Sequence, residues 1–101
     1  MLTEVGLKNF TTEVIEAKEP VLVDFYSPNC IPCRQIKPTL EVVASHGRKV
    51  VGVNVEDEPE LTRHYGVQAV PTLVVFKDGK AGPRLVGLKS SIQLMELMDA
   101  A

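Results

Sequence analysis

At 101 residues, with 45% hydrophobic and 24% charged side chains, the chain matches one soluble globular domain able to bury its own core, not a disordered or fibrous protein. Its net charge is −2 and its 11 basic residues form no stripe, which sets nucleic-acid binding aside. No apolar run approaches the roughly 20 residues that span a bilayer. The opening "MLTEVGLKNF" lacks the apolar core of a secretory signal, so the expected setting is the cytoplasm, off the membrane.

A short strand is expected near Leu2–Val5, followed by a helix that spaces Phe10, Val14 and Ala17 along one face and closes at Pro20. "VLVDFY" reads as a strand buried on both faces, with Asp24 its single acid. From Cys30 onward Ile36, Leu40, Val43 and Ala44 recur at helical spacing, predicting a helix to His46-Gly47 with a kink at Pro38. "KVVGVNV" is a further buried strand, and Pro59 is suited to open a short helix to about His64. "TLVVF" then leads through Asp78-Gly79, a hairpin signal, into a return strand over Ala81–Val86. A last helix capped by Ser90 or Ser91 is expected to bury Ile92, Met95 and Met98 with Leu94 or Leu97. The order β-α-β-α-β-α-β-β-α predicts a single α/β domain over residues 1–101, its sheet mainly parallel with an antiparallel hairpin.

Both cysteines lie in Cys30-Ile31-Pro32-Cys33, directly after a strand and at the start of a helix. A thiol reacts as thiolate, and a free cysteine titrates near about 8.5; a helix N-terminus favours the charged form and brings that value down. Cys33, one helical turn deeper, is placed to attack a mixed disulfide on Cys30. Pro32 suits a first turn, where its missing N–H has no partner to lose. Two rivals remain beside redox chemistry. Structural zinc would need further ligands, and only His46 and His64 are available. Cys30-x2-Cys33-x12-His46 resembles the first part of a finger spacing, but His64 follows after 17 residues in place of the usual three to five, and His46 is expected at the far end of the helix from Cys30. Two inert buried thiols are the other possibility. A permanent structural disulfide is disfavoured in a reducing compartment.

Asp24 precedes Cys30 by six residues in an apolar strand, where burial would raise its pKa and make it a proton acceptor for Cys33; local hydrogen bonding at a strand end is the alternative. Pro71 in "QAVPTLVVF" reads as a strand start, and nothing local asks for a cis bond. Arg34 reads as a solvated charge, His46 and His64 as surface residues, and Met95 and Met98 as core.

Across nearly its whole length the chain resembles the thioredoxin family, through "VLVDFYSPNCIPCRQIKPTL", "VGVNVEDEPELTRHYGVQAVPTLVVFKDG" and "LVGLKSSIQLMELM". The resemblance implies a thioredoxin fold, a mixed five-stranded sheet flanked by four helices. It implies a protein-disulfide reductase using Cys30 as nucleophile, Cys33 as resolving thiol and Asp24 as buried proton relay. It also implies a cis Val70-Pro71 bond whose loop offers backbone to an extended substrate, with Gly87 near the same groove. Asn29, Ile31 and Pro32 complete the expected substrate contacts. No cofactor or metal is implied beyond the reversible Cys30–Cys33 disulfide. The expected partners are disulfide-containing proteins and a thioredoxin reductase or equivalent donor, and the expected state is a monomer. Departures from the family are specific. Its usual Trp-Cys-Gly-Pro-Cys is here Asn29-Cys30-Ile31-Pro32-Cys33, Tyr26 replaces another tryptophan, and Gly52 stands where a lysine often accompanies the acid. Two alternatives follow: a dedicated electron donor to one partner system, or a redox-silent binding module of the same fold.

Overall fold

Side chains alternate along a strand, and the alternation along β2 (Val21–Tyr26) sets the two faces of the molecule. Val21, Val23 and Phe25 enter one apolar cluster and Leu22 the other, so Asp24 points to the second face. The computed structural model describes residues 2–101. β2 lies at the centre of a sheet completed by β1 (Thr3–Glu4), β3 (Lys49–Asn54), β4 (Thr72–Lys77) and β5 (Lys80–Val86), in the order β1-β3-β2-β4-β5. β1, β3 and β2 are parallel, and β4 and β5 add antiparallel pairs. This is the mixed α/β sheet that the resemblance implies.

A helical segment at Thr11–Ile15 and α2 (Pro59–His64) contribute Val14 and Leu61 to the cluster around Phe25 and Phe76. On the other face α1 (Ile31–Ser45) and α3 (Ser91–Asp99) contribute Ile36, Leu40, Val43, Leu94 and Met98. α1 therefore covers the face to which Asp24 points. It runs unbroken through Pro38, whose missing N–H deprives the Arg34 carbonyl of its helical donor; both residues are exposed, on the solvated side of the helix.

The structure departs from expectation in two helices. Thr11–Ile15 closes in wider turns than the spacing of Phe10, Val14 and Ala17 predicts, with the Glu16 N–H reaching the Thr11 carbonyl five residues back at 2.8 Å. Thr11, Thr12, Val14 and Ile15 are all β-branched and crowd an ordinary α-turn. In α3 the buried line is Leu94 and Met98, while Ile92, expected inside, is 65% exposed. Two residues before Leu94, it sits about 200° around the helix from it. Ser90 caps this helix, accepting from the Gln93 N–H at 3.1 Å while the Gln93 side chain takes the Ser90 N–H at 3.0 Å.

The Asp78-Gly79 turn is as expected, with φ of 53° and 78° at the two residues, a pair of positive values that joins twisted strands tightly. β5 is an edge strand; Lys80, Pro83 and Arg84 on it are exposed. β1 forms the other edge and is two residues long.

The burial pattern has a direct test. Leu40→Ala, emptying a fully buried site under α1, should lower the unfolding free energy by about 2–5 kcal/mol in urea denaturation. Ile92→Ala should change it by less than about 0.5 kcal/mol.

Candidate active site

β2 ends at Tyr26, and Ser27, Pro28 and Asn29 turn the chain into α1. Cys30 is the extended residue preceding the helix, and its N–H donates to the Ser27 carbonyl at 3.3 Å. Its sulfur accepts the Cys33 N–H at 3.1 Å, the place a serine or aspartate oxygen takes in an ordinary cap. Cys30 and Cys33 are joined as a disulfide, with Cα atoms 5.2 Å apart. The two sulfurs are not equivalent: Cys30 is half-buried and Cys33 buried. Ile31, between them, is 65% exposed, and Asn29 and Pro32 are also exposed.

The loop before β4 lies against this pair. Cys30 Sγ is 3.7 Å from the carbonyl oxygen of Val70, and the Val70-Pro71 bond is cis. Thr72, buried just beyond, donates its hydroxyl to the Ala69 carbonyl at 2.5 Å and ties the loop back on itself. Gly87 donates its N–H to the Pro71 carbonyl at 3.2 Å with φ of 90°, a conformation open to glycine at little cost. The start of α1 thus touches the β4 loop at Val70, and the same loop is bonded at Pro71 to Gly87, just after β5.

Behind the disulfide, Asp24 and Cys33 line a cavity of about 480 Å³. Asp24 is 6% exposed, and its Oδ1 is buried with no hydrogen-bond partner among the described residues. Burial pushes its pKa up to about 7, the Glu4 carboxylate raises it further within that shift, and the Lys37 ammonium pulls against them. Burial thus holds the Asp24 carboxyl far above the usual carboxylate range, in the cavity it shares with the buried Cys33 sulfur.

Several parts of this arrangement escape the sequence reading. Lys37, one turn after Cys33 on α1, is the cation facing Asp24, where the family comparison looks to position 52. The i, i+4 spacing of Cys33 and Lys37 is a signal that could have found it. Arg34, read as a free solvated charge, donates from Nε and Nη2 to the Pro28 carbonyl at 3.3 and 3.0 Å and clamps the turn. Glu4 has no local signal at all; sheet pairing alone brings it here. Among the described residues no group of three or more His, Cys, Asp or Glu side chains is arranged to hold a metal, and no helix is long and apolar enough to cross a membrane. His46 stands at the far end of α1, its Nδ1 2.8 Å from the Val42 carbonyl oxygen.

The family model named Thioredoxin matches residues 2–100. The chain is similar to Thioredoxin 1 of Synechococcus elongatus, 40% identical over 93 residues that cover 89% of this chain and 87% of that one. It is 37% identical over 97 residues to a thioredoxin of Streptomyces clavuligerus, covering 94% and 91%. A thioredoxin of Mycobacterium tuberculosis is 39% identical over 95 residues, covering 90% and 82%. With a paired Cys-x-x-Cys at the mouth of α1, a sheet of the implied order and near end-to-end similarity, this chain belongs to the thioredoxin family.

Proposed function

We propose that the protein reduces disulfide bonds in other proteins by dithiol exchange, with Cys30 as nucleophile and Cys33 as resolving thiol. The observation that carries this reading is the asymmetric pair across the first turn of α1, one sulfur at the mouth and one buried. The Cys33 N–H and the positive end of α1 favour negative charge on the outer sulfur. In the reduced protein Cys30 thiolate attacks one sulfur of a target disulfide, forming a mixed disulfide and releasing the other target sulfur as thiolate. Asp24 takes the Cys33 proton, and Cys33 attacks Cys30, closing the internal disulfide and releasing the second target thiolate. Two electrons pass to the target, and a reductase or equivalent donor returns two to the Cys30–Cys33 disulfide. The cysteines carry both electrons, so no bound cofactor enters the scheme. A single unit over residues 1–101, working as a monomer in a reducing compartment such as the cytoplasm, suffices for it.

Asn29, Ile31, Pro32, Val70, Pro71 and Gly87 form the proposed substrate contacts, with Asn29, Ile31 and Pro32 exposed, Val70 and Gly87 half-buried and Pro71 buried beneath them. The exposed Ile31 and Asn29, where the family usually has Gly and Trp, favour a second reading in which the protein serves one dedicated partner system.

Reduction of a test disulfide with dithiothreitol as donor should be lost in Cys30→Ser. Wild-type turnover no faster than this variant would overturn the reductase reading. Cys33→Ser should accumulate the mixed disulfide, seen by mass spectrometry, and capture of one dominant protein would favour the dedicated donor.

Asp24→Asn should slow the resolving step by roughly 10–100-fold at pH 7 and flatten its rise with pH through about 7, read by stopped-flow. The same group links to stability. Its folded pKa lies above the unfolded value, so its favourable contribution is complete below about 3.8 and is lost as pH rises to about 7. The loss is about 4 kcal/mol, and Asp24→Asn should abolish that slope in urea denaturation.

A further inference from the structure

The cavity beneath the disulfide owes its shape to the pairing of three parallel strands. Glu4 on β1 pairs with Gly52 on β3, and Gly52 pairs with Asp24 on β2, so the three form one row across the sheet. Paired neighbours project to the same face, which puts both carboxyl groups on the side covered by α1 with an empty place between them. Gly52 makes the gap usable. A Cβ there would lie 2.9 Å from Glu4 Oε2 and 3.1 Å from Tyr26 Cε1, so the absent side chain leaves room for those two groups to meet. They do meet: the Tyr26 hydroxyl donates to Glu4 Oε1 at 2.6 Å. Tyr26 lies two residues after Asp24 and so on the same face of β2.

The charged and titratable groups around the cavity are few. Glu4 enters from β1, Tyr26 from β2, Cys33, Arg34 and Lys37 from α1, and Asp57 from beyond β3. Arg34 is held by the Pro28 carbonyl, and Lys37 favours the charged form of Asp24 against burial and Glu4. No cation enters from β3, because the residue there is Gly52. Asp24 lines this space, and its buried Oδ1 has no hydrogen-bond partner among the described residues, so nearby charges act on it through space and not through a direct bond there.

We propose that Glu4 is a positioning residue that sets the charge state of Asp24 from across the Gly52 gap, with Tyr26 as its clamp. At neutral pH the Glu4 carboxylate opposes a second negative charge on the same cavity, so Asp24 keeps its proton to higher pH than burial alone would dictate. The cavity has room for water, which allows a proton to pass between Asp24 and Cys33 without direct contact. This inference rests on the proposed role of Asp24 as proton acceptor for Cys33. It adds a residue at the sheet edge that decides the pH at which the acceptor becomes available.

The test follows the Asp24 side-chain carboxyl by carbon-13 NMR over a pH titration of the full chain, in wild type, Glu4→Gln, Glu4→Lys and Tyr26→Phe. Glu4 is exposed on a two-residue edge strand, so its replacement leaves the core intact. Glu4→Gln should lower the Asp24 midpoint by about half a pH unit or more, and Glu4→Lys should lower it further. Tyr26→Phe frees Glu4 and should move the midpoint the same way by less. An Asp24 midpoint unmoved in both Glu4 variants overturns the inference, whatever the rates do. The pH profile of the resolving step, measured in the same variants, should move to lower pH in step with the midpoint. A moved midpoint with an unmoved profile supports the hold of Glu4 on Asp24 and overturns the role of Asp24 at Cys33.

Discussion

β2 is bonded on both sides, to β3 in parallel and to β4 in antiparallel register, and its side chains are buried from Val21 to Phe25. A strand so enclosed has no freedom to slip, since a shift of one residue would exchange its two faces and turn Phe25 toward α1. The fixed register puts Asp24 under α1, aligns it with Gly52 and Glu4, and fixes where the chain emerges to build the Cys30 turn. Apolar packing of Leu22 against Ile36 and Leu40 holds α1 over that acid. The chemistry at the mouth of the helix depends on a packing constraint well inside the sheet.

Much of this was legible in the sequence, because the signals are local. The strand runs, the Asp78-Gly79 turn, the serine cap of α3 and the strand-then-helix placement of Cys30 each follow from neighbours within a few positions. Asp24 stood out as one acid among apolar residues. The cis Val70-Pro71 bond was not legible from the residues themselves and entered through family resemblance. What the sequence hides is lateral: Glu4, Gly52 and Asp24 are 48 and 28 positions apart, and only strand pairing makes them neighbours. Ile92 was misplaced for a related reason. Its hydrophobicity is real, but which third of α3 faces the sheet is decided by α1 and the strands beneath.

Cys30 combines two duties that are usually separate. Its sulfur closes the first turn of α1 by accepting the Cys33 N–H, and the same sulfur lies within 3.7 Å of the Val70 carbonyl oxygen that borders the groove. Any charge that develops there is met by a helix end already in place, with little reorganisation needed. The Arg34 grip on Pro28 serves the same end, since it fixes the turn that carries Asn29 and so holds the rim in one shape.

The two margins of the sheet point the same way. β5 carries Pro83, which has no N–H to offer, together with the charged Lys80 and Arg84, and β1 stops after two residues. Neither margin is a good template for another chain to extend. A protein that handles partly unfolded, disulfide-bearing segments is exposed to strand-by-strand growth into aggregates. If the proposed groove at Val70 is where such a guest pairs, its backbone carbonyl 3.7 Å from Cys30 Sγ would put holding a guest and reacting with it at one place, away from both margins.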